Sequence, residues 1–458
     1  GMFKMEKIFR LKEHGTDVRT EVIAGITTFL AMAYILAVNP GMLAAAGMDQ
    51  GAVFTATAVS AAFATLLMAF LANYPVALAS GMGLNAYFAY SVCPMLAEQG
   101  ITDPWQVALT AILVEGIIFI ILSIFKFRES LVNSIPKNLK LGITTGIGLF
   151  IAIVGLKGAG IVADDASNLV GMGKMSTPQV VLALVGFLII AILTHYKVKG
   201  AILIGIIVTW LLGIGAQLTG WYDVTVNPSL IPNFSVENIL PPSLAPTFFK
   251  FNFEFMTQNV LQFAIIVFAF LFVDLFDTVG TLVGVASKGN LLDKDGNLPK
   301  AGRALMSDAI GTVAGAVLGT STVTSYVEST AGVAEGGRTG LTAVVSAIGF
   351  ILALFFSPIF LAIPSFATAP ALVFVGLLMM SSVKDMDLTS DAADMAGGFL
   401  AIIMMPFTSS IANGIMFGIL AWVIIRLFQG KFKEIHPVMY VSGALFALRI
   451  FMLVMGWN

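Results

Sequence analysis

Several acidic residues stand inside stretches that are otherwise apolar. One reads Phe272-Val273-Asp274-Leu275-Phe276-Asp277-Thr278-Val279-Gly280. Its two aspartates are three positions apart, which places them on one helix face about a turn from each other. Glu328 closes a polar run, Gly319-Thr320-Ser321-Thr322-Val323-Thr324-Ser325-Tyr326-Val327-Glu328, and Glu115 and Asp308 lie in two further apolar stretches. A carboxylate at bilayer depth costs roughly 2.5–3.5 kcal/mol on insertion scales and marks a functional site by default. No lysine or arginine lies beside these acids within the main spans. An acid so placed can take up and release a proton, which is the chemistry that proton coupling requires. Glu115 and Asp308 also read as neutral groups hydrogen-bonded to a neighbouring helix. Asp277 and Glu328 are the leading candidates, with Asp274 next.

Other chemistries find little support. His14 lies in the N-terminal tail, and His195 and His436 flank spans beside basic residues, so no histidine cluster has metal-ligand spacing. Cys93 is the single cysteine, which excludes an intramolecular disulfide and a cysteine metal cage. Inside an apolar run it reads as packing. No Ser–His or Ser–Lys pair falls at membrane depth, so an enzyme is not expected, nor is a metal or organic cofactor. A net charge of −2 without a long basic block gives no sign of a nucleic-acid partner.

The elements that position these acids follow from composition. Hydrophobic residues make up 58% of the chain and charged residues 11%, with a mean hydropathy of +0.95. A soluble domain carries about 25% charged residues, so this chain lacks the polar surface to cover a core in water. In lipid the outside can be apolar too, provided every backbone group is satisfied internally. The apolar runs are continuous and of helix-spanning length, about 20 residues, unlike the short alternating segments of a membrane barrel. The expected class is therefore an all-α integral membrane protein. Spans are read near 20–44, 52–72, 76–97, 105–125, 135–156, 178–196 and 200–218, then near 259–286, 301–318, 322–336, 339–360, 369–383, 391–408 and 411–428. The predicted units are a cytoplasmic tail (1–19), a first seven-span repeat (20–218), an external loop (219–258), a second repeat (259–428) and a C-terminal segment (429–458). In that segment the apolar run 437–457 leaves crossing, surface-lying and partial-hairpin arrangements open.

Basic residues orient this parse, because positively charged loops stay in the cytoplasm. With the N-terminus inside, one side collects twenty of the 24 Lys and Arg residues, Lys126, Arg128 and Lys294 among them. The other side receives Lys157, Lys174 and Lys250, and Arg449 falls in the tail run. A unit of seven spans repeated in tandem inserts upside down the second time, giving an inverted repeat. Ile135-Pro136 opens the fifth span and Ile363-Pro364 the twelfth, each before a Gly-containing apolar run. The third span (Ala79-Ser80-Gly81-Met82-Gly83-Leu84-Asn85-Ala86-Tyr87) and the tenth are too small and polar for lipid-facing helix. Interrupted segments at matching places in two halves point to a transporter's binding site, where broken backbone lines a cavity and half-helix amides can donate to a ligand. Gly311, Gly315 and Gly319 read instead as a helix-packing surface.

Five motifs occur together: Gly25-Ile-Thr-Thr-Phe-Leu-Ala-Met-Ala-Tyr-Ile, Gly81-Met-Gly-Leu-Asn85-Ala-Tyr-Phe, Asp274-Leu-Phe-Asp277-Thr-Val-Gly-Thr, Thr324-Ser-Tyr-Val-Glu328-Ser and Met405-Pro-Phe-Thr-Ser-Ser-Ile-Ala-Asn413-Gly. With them the chain resembles the AzgA-like purine permeases, a branch of the nucleobase–ascorbate (nucleobase:cation symporter) transporters, from about Phe9 to the last span. The resemblance implies a uracil-permease-type fold of fourteen spans in two inverted repeats. Spans one to four and eight to eleven would form a core, and spans five to seven and twelve to fourteen a gate. It implies proton-coupled uptake of adenine, hypoxanthine or guanine at the inner membrane, in a chain compatible with a homodimer. The family's span-eight acid falls on Asp277, its span-ten acid on Glu328 and its span-three asparagine on Asn85. A late-span acid of some members falls on Asn413, which argues against a proton role there.

These positions suit a flat base rich in donors and acceptors at its edge. Glu328 and Asp277 would bracket it, with Thr324 and Ser325 beside them, while Phe276 or Phe374 could stack on the ring or belong to the core. A site built on polar pairs rejects bases that lack the matching group. Protonation of Asp277, Glu328 or Asp274 would couple to loading, and core and gate would move for alternating access. An anion carrier of the same fold is the alternative, but it would want a cation near the broken helices. A cation channel could use acidic rings, yet needs no matching broken helices.

Overall fold

The computed structural model describes residues 1–125, 134–232, 239–293, 298–326 and 328–456, together with the backbone but not every side chain of Val260–Lys288. The predicted inner-side residues Lys126, Arg128 and Lys294 lie outside the described residues. The chain is an α-helical bundle. Ten helices among the described residues are long and apolar enough to cross a membrane.

In chain order the first seven spans are Val18–Ala45, Gln50–Ala72, the broken 78–98, Pro104–Ile124, Lys137–Gly158, Pro178–His195 and Ala201–Thr219. The second series is Val260–Lys288, Ala301–Leu318, the broken 323–334, Gly340–Ala362, Ser365–Asp385, Ala392–Thr408 and Ile411–Phe428. Each starts where a local cap permits. Asp17, Asp49, Thr339 and Ser410 accept from amides of the first turns of spans 1, 2, 11 and 14, which satisfies donors the helix leaves unpaired. Prolines open spans 4 and 6, where the missing amide costs nothing.

The two Ile-Pro pairs occupy matching positions. Pro136 and Pro364 are the N-caps of spans 5 and 12. The same interval then brings Gly148 and Gly376 together, where a Cβ on Gly148 would lie 2.6 Å from the Gly376 oxygen and one on Gly376 would collide with the Gly148 oxygen. The faint sequence likeness between the halves thus ends in a backbone-to-backbone crossing of equivalent helices. Around it, spans 5, 6, 7, 12, 13 and 14 pack on one another, while spans 1, 2, 4, 8, 9, 10 and 11 form a second group. Gly311 and Gly315 are packing positions as predicted: a Cβ on Gly311 would meet Ala64, and one on Gly315 the Ser321 carbonyl.

The 219–258 segment forms turns and a short helix, Glu254–Gln258, with 233–238 outside the described residues. It is fastened to one end of the bundle. Thr55 Oγ1 donates to Pro242 O (2.7 Å), and the Asn252 amide donates to Thr110 Oγ1 (2.9 Å). The tail run is a helix, Pro437–Val454, and it returns antiparallel along span 14. Gly443 lies beside Val423, and Arg449 and Leu453 share a cavity wall with Met416 and Asn413. As a fifteenth element it is itself long and apolar enough to cross, and it runs back over most of the length of its neighbour.

Candidate functional site

The two broken spans meet at their breaks. Leu78–Ser80 and Val323–Ser325 form a short antiparallel ladder with Leu78 opposite Ser325, Ala79 opposite Thr324 and Ser80 opposite Val323. The Gly81 amide donates to Thr322 O and the Tyr326 amide to Ala77 O, both at 2.9 Å, so the ladder extends past both ends. Backbone groups that would be orphaned in lipid are thereby paired. Beyond the ladder the span-3 helix starts at Met82, and its first amides have no intrahelical acceptor. Span 10 resumes as Ser329–Ala334 with Glu328 at its N-cap.

Successive strand residues point to opposite faces, and this separates the predicted partners. Thr324 Oγ1 donates to Asp277 Oδ2 (3.4 Å), whereas Ser325 Oγ donates to Asp308 Oδ2 (2.7 Å) on the other side. Asp277, Gly81, Gly83 and Leu84 line a cavity of about 30 Å³, closed from the gate side by Ile143, Thr144, Ile147 and Met379. Glu328 accepts from the Tyr34 hydroxyl (2.7 Å) and stands close enough to Asp277 for their charges to interact. An acid on span 8 and a half-helix N-terminus therefore meet at the boundary between the two helix groups, with Glu328 of span 10 held by Tyr34 on the core side.

Behind this site lies a second acidic layer. Asp274, Glu115 and Asp308 are each fully buried. Thr278 Oγ1 donates to Asp274 Oδ1 (3.1 Å), while both Glu115 oxygens and one oxygen each of Asp274 and Asp308 have no hydrogen-bond donor among the described residues. Asp274 thus belongs with Glu115 rather than with Asp277. The three-residue spacing gives a common face only loosely, and about 60° of helical rotation separates the two layers.

The remaining predicted residues fall elsewhere. Asn85 is buried and faces away from the cavity. Its Nδ2 donates to Asn39 Oδ1 (2.6 Å), and its Oδ1 accepts from Ser321. Asn39 in turn donates to Thr57 (2.7 Å) and Thr320 (2.9 Å), and Thr320 pairs with Ser80 (2.7 Å). This polar net ties spans 1, 2, 3 and 10 beneath the ladder. Phe374 packs against Phe187 inside the gate group, with ring centroids 6.2 Å apart, rather than over Asp277. The Phe276 side chain lies outside the described residues. Asn413 lines a different cavity, with Gln262 and Arg449.

Tyr34 and Asn39 were not singled out by residue type. Both belong to span 1, which tightens at Ala33-Tyr34, where the Leu36 and Ala37 amides bond three residues back instead of four. Buried Glu21 was also unmarked. It accepts from the Arg338 and Thr339 amides (3.0 and 2.6 Å) and from Thr342 Oγ1 (2.9 Å), capping the start of span 11.

A family model described as "Permease family" matches residues 19–417. The chain belongs to this family. It is 44% identical over 452 residues to the guanine/hypoxanthine permease PbuO of Bacillus subtilis, covering 97% of this chain and 100% of that one. It is 42% identical over 451 residues to the adenine permease AdeP of Escherichia coli, covering 98% and 96%. Among solved structures, the transmembrane domain of the cyanobacterial bicarbonate transporter BicA superposes with a TM-score of 0.66 at 16% identity, over 86% of this chain and 96% of that domain. The last likeness concerns the fold alone. The protein is thus a multi-pass α-helical membrane permease, not an enzyme, and the resemblance drawn from its motifs holds.

Proposed function

We propose that this permease is a secondary active carrier that takes up purine bases together with protons by alternating access. The observation that carries the reading is the meeting of Asp277 with the span-3 half-helix at the core–gate boundary, with Glu328 held behind them by Tyr34. Purine transport is supported by the likeness to PbuO, a guanine/hypoxanthine permease, and AdeP, an adenine permease. A carboxylate accepts from the ring N–H of a 6-oxopurine or from the adenine amino group, and half-helix amides donate to ring nitrogens or O6. Asp277 and Glu328 are the coupling candidates, since either can carry a proton through the cycle. The basic-residue bias supports a cytoplasmic N-terminus.

Movement of gate against core is supported by the size of the site. A cavity of about 30 Å³ admits only two or so waters, so the wall formed by spans 5 and 12 must withdraw for a bicyclic base to enter. An anion carrier is disfavoured, because the one charged residue lining this cavity is the acid Asp277.

The test is radiolabelled hypoxanthine uptake into proteoliposomes, with and without an inward proton gradient, for wild type and Glu328→Gln. Gradient-driven accumulation that the variant loses is expected. Folded wild-type protein that accumulates no purine would overturn the reading and bring the anion carrier forward.

A further inference from the structure

A second cavity, about 90 Å³, opens at the same core–gate seam towards the end of the bundle opposite the N-terminus. Its polar lining comprises Tyr87 and Ser91 of span 3, Gln262 of span 8, Ser410 and Asn413 at the start of span 14 and Arg449 of the fifteenth helix. It has room for roughly six waters, which is comparable with a flat bicyclic base. Two walls are shared with the inner site. Span 3 contributes Gly83 below and Tyr87 above, and span 8 contributes Val273 below and Ile266 above. Those intervals are about 6 and 10 Å along the helix axes. Between the cavities Tyr87 meets Phe270 edge-on, with ring centroids 4.9 Å apart. The upper cavity therefore sits directly over the inner one, behind an aromatic pair.

Ser91 donates to Ser409 O and Ser410 accepts from the Asn413 amide, but the groups able to read a base edge are largely unused by the protein. Arg449 makes no hydrogen bond or ion pair with any described residue, and the Asn413 side-chain amide makes none either. Gln262 Nε2 reaches only Met95 Sδ, at 3.8 Å. An intramembrane cation facing a cavity without a protein partner is a binding-site hypothesis by default. A guanidinium beside two carboxamides has a definite complement among purines. The O6 and N7 acceptors of guanine or hypoxanthine take a bidentate arginine, whereas adenine, with an N6 donor beside N7, takes a bidentate asparagine or glutamine.

We propose that this outer cavity is an approach subsite that reads the O6/N7 or N6/N7 edge of a purine before it passes Tyr87 and Phe270, with Arg449 favouring 6-oxopurines and Asn413 serving adenine. The inference rests on the purine reading above. It assigns a specificity-determining residue to a helix outside the fourteen-span framework.

The test is competition of unlabelled hypoxanthine and adenine against uptake of whichever labelled purine the wild type carries, in proteoliposomes, for wild type, Arg449→Gln, Arg449→Lys and Asn413→Ala. Folding of each variant is checked by its thermal melt. Arg449→Gln is expected to shift the hypoxanthine-to-adenine preference towards adenine by roughly 5- to 150-fold. Arg449→Lys restores little of it, because an ammonium cannot form the fork. Asn413→Ala moves the preference the opposite way, and keeps the proposal open to refutation should Arg449→Gln fail to fold. An equal effect on both bases, or none, overturns the subsite and leaves Arg449 as a headgroup anchor. A wild type that carries no purine overturns the purine reading itself, and this inference with it.

Discussion

Replacing Tyr34 by Phe removes one hydroxyl from a fully packed position and leaves the ring in place. Tyr34 is 1% exposed, and its hydroxyl donates to Glu328 Oε1 at 2.7 Å. A net hydrogen bond between neutral groups is worth about 0.5–1.5 kcal/mol, and one to a charged group about 1.5–3 kcal/mol. At 1.4 kcal/mol per tenfold, the first range predicts roughly a 2- to 12-fold weaker apparent affinity and the second roughly 12- to 150-fold. The size of the loss therefore reports whether Glu328 meets the base as an acid or as a carboxylate. The assay is initial-rate hypoxanthine uptake against concentration at several external pH values. A KM rise above twofold that varies with pH is expected, with the thermal melt of the purified protein little changed. A KM within twofold of wild type across that pH range would refute the assignment of Tyr34 as the group that orients Glu328.

Asn39→Ala should destabilise the fold rather than alter specificity, because Asn85 Nδ2 is left without its buried acceptor, while Thr57 and Thr320 keep Val53 O and Ser80 as partners. At about 1–3 kcal/mol per orphaned group, a clear fall in the melting temperature in detergent is expected. In Gly83→Ala the new Cβ would lie 2.6 Å from Ile147 Cγ2, so turnover should drop with the melt preserved. The double variant with Ile147→Ala should recover it, and a failure of rescue would argue against a seam clash. A cysteine placed at exposed Met455 should react with a membrane-impermeant maleimide from the side opposite the N-terminus, with little background from buried Cys93. Labelling from the N-terminal side would show that the last helix does not cross. Asp387, between spans 12 and 13, is held down to about 2 by hydrogen bonds from the Ser390 hydroxyl and the Thr389 and Ser390 amides. Its contribution is complete above the ordinary aspartate value near 4 and is lost as pH falls towards 2, so Asp387→Asn should leave the uptake profile between pH 5 and 8 unchanged.

Much of the fold was legible because the bilayer restricts the alternatives. Length, hydropathy and the lysine–arginine alternation were enough to place the spans, and the matched polar segments were enough to mark the breaks. The site was legible in part. Asp277 and Glu328 stand out because a carboxylate has few reasons to lie at that depth; Asp277 lines the seam cavity, and Glu328 is held by Tyr34 within the core. Tyr34 and Asn39 do not stand out, since a tyrosine or an asparagine in a helix near a proline has many ordinary explanations. Only the tertiary meeting of spans 1, 3 and 10 gives them partners. Phe374 illustrates the converse: an aromatic stacking candidate is a ring in an apolar run, and its Phe187 neighbour comes from another span.

The division of chemistry across the seam bears on how the proposed carrier would move. In the inner cavity the charged group and the half-helix amides belong to the core, and the gate contributes Ile143, Thr144, Ile147 and Met379. A wall of this kind makes few directional bonds, so it can slide past the site without breaking buried hydrogen bonds, each of which would cost about 1–3 kcal/mol if left unmade. The directional bonds lie within the core instead, in the Asn39–Asn85 net and the Leu78–Ser80 ladder, and these hold the two broken spans together as one piece. A mobile gate against a stitched core is therefore the low-cost motion for this arrangement. Cross-linking the inner wall, for example through cysteines at Gly83 and Ile147, should arrest uptake, while a cross-link across the ladder between Ser80 and Val323 should be tolerated. Arrest by the ladder cross-link alone would show that the broken spans separate during transport, and the rigid-core account would then fail.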